Sequence, residues 1–270
     1  MNTFLSLIES MAAAKRPAMP VLSRSEAMEA VLGRRYGVDF QPVVTPDGSL
    51  LAWRAKAQFA SANGRRLSPN AVFAALHRDP GLLLFTELDL KCLALAGAPG
   101  KSQLLLPLDA DSYAAGRDDV DNAFDRLFRG RGNIIVEICE NRSATDVQRL
   151  RQLLRGLAGQ GIPVAIGGRT PASGCVGETF HEVDWLRLPC PQDLRDPRRM
   201  RAMESIAEAA SLAGAVAFVS GVPDAETLAL VRAIGFSGAC GPVFDGCGHQ
   251  VWSAEVELQD LLARRTRIAI

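Results

Sequence analysis

Apolar positions along the chain follow two different periods. In "VDFQPVV" and "SLLAWRAKAQF", between residues 38 and 59, they form strand-like runs, and "TPDG" separates the two. Pro-Asp-Gly turn chemistry between such runs predicts an antiparallel hairpin. Two helices are predicted next, over 68–78 with Ser68 as cap and over 81–98 ending at Gly97. Beyond residue 100, short continuous apolar runs alternate with longer segments of helical period. The predicted strands are "SQLLLPL", "NIIVEIC", "IPVAIG", "VDWLRLP", "AVAFVSG" and "GACGPVF"; the helices between them include 143–160, capped by Ser143, and 223–235, closed by Gly235. Continuous apolar strands alternating with helices imply parallel strands covered by helices. With the second hairpin strand the total approaches eight, so the pattern predicts a TIM-barrel-like α/β fold with an antiparallel opening hairpin. A doubly wound open sheet is the alternative, and no short-period repeat is visible.

Upstream, Phe4, Leu7, Ile8 and Met11 recur at helical spacing, which predicts a short amphipathic helix over 3–13 before a linker holding Pro17 and Pro20. Its apolar stripe suits packing on the main domain or docking to a partner or membrane surface. Ser23 and Glu26 have capping-box spacing for a second helix, with Gly37 as its expected stop. The chain thus divides into an N-terminal helical extension (1–37), a barrel (38–250) and a C-terminal segment packing on it (251–270).

Lys and Arg total 30, as do Asp and Glu, so no net field recruits nucleic acid or an anionic membrane. Cys92, Cys139, Cys175, Cys190, Cys240 and Cys247 lack paired C-x-x-C spacing and fall partly in apolar runs, as reduced thiols of a cytoplasmic protein would. Cys240, Cys247 and His249 offer only three metal ligands at an unusual spacing, so no metal and no cofactor is expected from them. The N-terminus does not read as a signal peptide, because its basic residues follow the apolar stretch, and no segment reads as a membrane span.

The order of these pieces resembles the EAL domain, the bacterial cyclic di-GMP phosphodiesterase fold. "FQPVV" is similar to the family's opening "YQPIV", and "LSPNAVFAALHRDPGLLLFTELDL" to its "SPxxFIPLAExxGLIxxLD" helix pair. "IVEICEN" is similar to "LEITES", and "SGVPDAETLALVRAIGFSGACGPVF" to "EGVETxEQLxxLRxLGCDxxQGYLF". The similarity runs from about residue 38 to 247. In the family, two divalent cations are held by carboxylates and an Asn at the ends of successive strands, while a Lys and a Glu help to activate the attacking water.

The resemblance carries those positions onto a depleted set. The Glu-Ala-Leu signature falls on Arg54, Ala55 and Lys56; the Arg a few residues on becomes Gln58; the strand-end Asn becomes Pro107. Glu137 is kept. The paired Asp residues of "DDFG" become Gly167 and Gly168, "KID" becomes Arg187, Leu188 and Pro189, the Glu of "EGVE" becomes Ser220, and the Gln of "QGY" becomes Cys240. One carboxylate in place of a full ligand set, with a guanidinium at another ligand's position, predicts that the metal pair and the phosphodiesterase activity are lost. Glu137 would then be a buried acid needing a partner, and Arg54, Arg187 or both are expected to supply it.

Gln41 and Asp89 match nucleotide-facing family positions, though each also reads as an ordinary strand-end or helix-surface polar group. With Arg54, Lys56 and Arg187 they define a weak candidate site for binding cyclic di-GMP without metal. His77 and His181 read as structural. Asp109, Asp111, Asp118, Asp119, Asp121 and Asp125 read as a solvated helix start, and "RDPRRMRAME" as a basic helix start suited to docking. The resulting expectation is a catalytically inactive EAL-like protein acting in bacterial signalling by binding another protein. A metal-independent cyclic di-GMP receptor and an enzyme of unrelated chemistry on the same barrel are the alternatives.

Overall fold

The computed structural model describes residues 22–117, 121–139, 147–167 and 183–256. The helix predicted over 3–13, the cap Ser143, and most of the C-terminal segment lie outside these residues. The first described helix, α1 (Arg24–Leu32), opens with the expected capping box: the Ser23 hydroxyl accepts the Glu26 N–H, and the Glu26 carboxylate accepts the Ser23 N–H. The expected stop at Gly37 does not hold. The helix ends at Leu32, the Gly33 N–H closes on the Glu29 carbonyl, and Arg34 turns the chain with φ 54°. Gly37 lies instead in strand β1 (Tyr36–Val44), where a Cβ would run into the Val251 carbonyl oxygen of the strand paired beside it.

β1 pairs antiparallel with β2 (Leu50–Ala60), in register from Tyr36 opposite Phe59 to Val44 opposite Leu50. In the turn, the Asp47 carboxylate accepts the Ser49 N–H and Gly48 takes the positive φ the reversal needs. A two-residue strand, β3 (Arg66–Leu67), extends this sheet, followed by helices α2 (Pro69–Leu76) and α3 (Pro80–Gly97). The rest alternates as the pattern predicted: β4 (Gln103–Asp109), α4 (Ala110–Ala115), α5 (Ala123–Phe128), β5 (Ile134–Cys139), α6 (Val147–Gly159), β6 (Val164–Gly167), β7 (Trp185–Pro189), α7 (Pro197–Leu212), β8 (Val216–Ser220), α8 (Ala225–Ile234) and β9 (Gly238–Cys240). "GACGPVF" is a strand only to Cys240, because Gly241 packs against the backbone of Gly221 and Val222 and Pro242 begins a 3-10 turn. A last strand, β10 (His249–Trp252), pairs with β1.

The sheet closes. β2, β4, β5, β6, β7, β8 and β9 run parallel in that order, and β1 joins β9 back to β2 as an antiparallel eighth stave. The fold is therefore an eight-stranded barrel with helices outside, and the open-sheet alternative fails because β1 is bonded on both edges. Strand parity sorts the side chains. Val43, Ala52, Leu105, Ile135, Ala165, Trp185, Phe218 and Cys240 point inward and plug the barrel with one apolar cluster. Leu104, Leu106, Ile134, Val136 and Val164 point outward to the helices up to α6, and Leu186, Leu188, Ala217 and Val219 to α7 and α8. Two residues beyond the plug, the same inward parity selects Arg54, Pro107, Glu137, Gly167, Arg187 and Ser220. No described helix is long and apolar enough to cross a membrane.

Candidate functional site

Above the plug, Glu137 is completely buried, and both of its oxygens are taken by guanidinium groups. Arg54 donates from Nε to Oε2 at 2.7 Å and from Nη2 to Oε1 at 3.2 Å. Arg187 donates from Nε to Oε1 and from Nη1 to the Ser220 hydroxyl at 3.1 Å, and that hydroxyl donates on to the Leu188 carbonyl at 3.2 Å. Burial alone would push the Glu137 carboxyl up; the two guanidinium groups outweigh it and hold the carboxyl at about 2. The expected rescue of Glu137 is thus made by both arginines at once.

Gly167 explains how the triad fits. A Cβ at this position would fall against Glu137 Oε1 and Arg187 Nη2, and 3.0 Å from Arg187 Cζ. Any side chain here, an Asp included, competes with the guanidinium for the same space. Pro107 sits beside Glu137 on the neighbouring strand and offers no side-chain oxygen. Cys240, fully buried and paired across the sheet with Ser220, is a neutral thiol because burial pushes its pKa up. A donor set of one carboxylate already claimed by two cations, with a hydroxyl and a protonated thiol, does not fit a pair of hard divalent cations.

The other expected residues divide. Gln41 is the cross-strand partner of Arg54, half-buried at the wall. Lys56 follows Arg54 on the inward face, and its pKa is lowered by burial and by the Arg54 charge, against Asp39 and Asp245. Gln58 is buried, with its amide near the Val38 carbonyl. Asp89 belongs to neither the mouth nor a helix surface: it is 3% exposed and accepts the Tyr36 hydroxyl, tying α3 to β1. Gly168 lies outside the described residues, as do Asp118, Asp119, Cys175 and His181.

Among the described residues the acidic stretch does mark helix starts, with Asp109 capping α4, Asp111 in its first turn and Asp125 in the first turn of α5, but these groups are paired and partly or fully buried rather than solvated as expected. Asp109, at the end of β4, is buried; its Oδ1 accepts the N–H groups of Asp111 and Ser112, and its Oδ2 lies 3.1 Å from His77 Nε2. Asp111 holds Arg149 at 2.6 Å, Asp121 holds Arg129, and Asp125 accepts the Tyr113 hydroxyl at 2.8 Å. Burial opposes a charge on His77, but the Asp109 carboxylate, supported by Asp111, holds the ring's pKa up at about 9. Sequence reasoning also missed the buried ion pair of Glu87 and Lys91 on α3. Its i,i+4 spacing was the available signal.

No protein-family model matches the sequence, and no curated protein matches it. Solved structures do match in fold. An EAL domain protein from Listeria monocytogenes EGD-e superposes with TM-score 0.64 at 15% identity, over 90% of this chain and 98% of that one. The FimX EAL domain from Pseudomonas aeruginosa, bound to c-di-GMP, matches with TM-score 0.62 at 16% identity over 82% and 94%. Klebsiella pneumoniae BlrP1, in a manganese and cyclic di-GMP complex, matches with TM-score 0.59 at 20% identity over 87% of this chain and 59% of that one. The chain therefore has the fold of EAL domains.

Proposed function

We propose that this chain is a non-catalytic EAL-fold protein of cyclic di-GMP signalling, working in the cytoplasm by binding another protein. The observation that supports it is the Arg54–Glu137–Arg187 triad. The single acid kept at the barrel mouth is neutralised by side chains, and Gly167 leaves the room they need. Phosphodiester hydrolysis by the route the fold's relatives suggest needs hard-ion ligands where these cations stand. The retained barrel offers outer surfaces instead. Arg195, Arg198, Arg199 and Arg201 are exposed at the start of α7, a basic face suited to an acidic partner.

One observation favours a second reading, a metal-independent cyclic di-GMP receptor: Arg54, Lys56 and Arg187 share the inward face of the same mouth. Against it, both arginines are already engaged and Asp89 is buried. Calorimetric titration with cyclic di-GMP, with and without Mg2+ or Mn2+, alongside a hydrolysis assay, separates the readings. The proposal expects neither heat nor product. Saturable heat that ignores the metal establishes the receptor, and metal-dependent product overturns both.

A further inference from the structure

Outside the triad, three side chains bring one ligand atom each to a common point. His77 at the end of α2, Asp109 at the end of β4 and Asp111 in α4 each offer one ligand atom, and the three lie within 4.8 Å of one another. Nε2 lies 3.1 Å from the Asp109 oxygen and 3.7 Å from the Asp111 oxygen. Ligands held about 2.1 Å from a tetrahedral ion stand roughly 3.4 Å apart, so two of the three edges already have that span.

The other atom of each group is held from elsewhere. Nδ1 of His77 lies 2.6 Å from the Phe73 carbonyl, which fixes the ring with Nε2 toward the carboxylates. The Asp109 Oδ1 is anchored by the N–H groups of Asp111 and Ser112, and the Asp111 Oδ1 by the Arg149 guanidinium. Outer partners of this kind orient metal ligands and are part of how such sites are built. Two carboxylates also balance the charge of a divalent ion, which would take the place of the Nε2 proton. All three residues are at least partly buried, so a bound ion would be shielded without being sealed off.

We propose that His77, Asp109 and Asp111 form a binding site for a first-row divalent transition ion of the zinc type. One imidazole nitrogen with two carboxylates selects such an ion over Mg2+ or Ca2+, which favour all-oxygen shells. Three protein ligands leave a position for water or another small ligand.

The test is Zn2+ titration of the metal-stripped full chain by calorimetry, paired with thermal melts with and without Zn2+. His77→Gln and Asp111→Asn remove ligands; Asp111→Asn keeps the side-chain shape and an oxygen for Arg149. Cys247→Ser controls for binding at the exposed thiol. The expected result is that wild type and Cys247→Ser take one Zn2+ more than either ligand variant, or bind it at least tenfold more tightly, and that only they melt higher with Zn2+. Equal uptake by wild type and Asp111→Asn, or no uptake by wild type, overturns the proposal and leaves a protonated His77 bridging two acids.

Discussion

Glu137 shows how a completely buried acid is kept ionised by the side chains around it. Its carboxyl is held at about 2, below an ordinary 4.5, so folding favours the ionised form. The stability this gives is present above the unfolded value and is lost as pH falls from about 4.5 toward 2. Glu137→Gln removes that pH dependence and strands two guanidinium groups, at an expected cost of about 3–5 kcal/mol at neutral pH. Urea denaturation of both proteins between pH 2 and 7 checks this: the curves should converge in acid and separate toward neutrality. The triad was legible in part. Resemblance placed Arg54, Glu137 and Arg187 at strand ends, and the cost of burying a lone acid predicted a cationic partner. That both arginines bind at once, and that Gly167 makes this feasible, depends on neighbouring strands whose spacing appears only when the barrel closes.

At the scale of elements, α6 carries two glycines whose settings differ sharply. A Cβ on Gly156 would meet the Tyr113 hydroxyl, which donates to Asp125, so this glycine lets α6 lie against α4 and α5. Gly159, three residues on, has open space where its Cβ would be. Gly156→Ala is therefore expected to destabilise by about 1–3 kcal/mol through overpacking. Gly159→Ala should be neutral or stabilise by up to about 1 kcal/mol through lower backbone entropy. Thermal or chemical melts of the two variants give the comparison directly, and equal effects would mean that α6 does not pack as closely as described. The barrel strands and the longer described helices were readable where apolar period and capping chemistry agreed, as at Ser23 and Gly235, whereas the short strands β3 and β10 were not predicted. Ends were misread where a glycine had a tertiary reason to be there. Gly37 looks like a helix stop in one dimension and is a strand residue paired closely with β10 in three.

At the scale of the whole molecule, barrel closure rests on β1, which bonds β2, β9 and β10. Arg34, just before it, fastens the two ends of the described fold. Its Nε donates to the Ser253 hydroxyl at 3.2 Å, and its Nη2 to the Ser253 and Val256 carbonyls. The same residue sits at φ 54°, a conformation a non-glycine residue adopts at a cost of roughly 1 kcal/mol. Two opposing effects thus meet at one position, and two substitutions separate them. Arg34→Ala loses the clasp and keeps the strain, so it should destabilise by about 1.5–3 kcal/mol, the range for hydrogen bonds to a charged group. Arg34→Gly loses the same contacts and relieves the backbone, so it should be less harmful by roughly 1 kcal/mol. If Arg34→Ala matches wild type in a denaturant melt, the clasp does not contribute to closure. If Arg34→Gly is the worse of the two, the left-handed turn is set by the chain around it and not by the arginine's contacts.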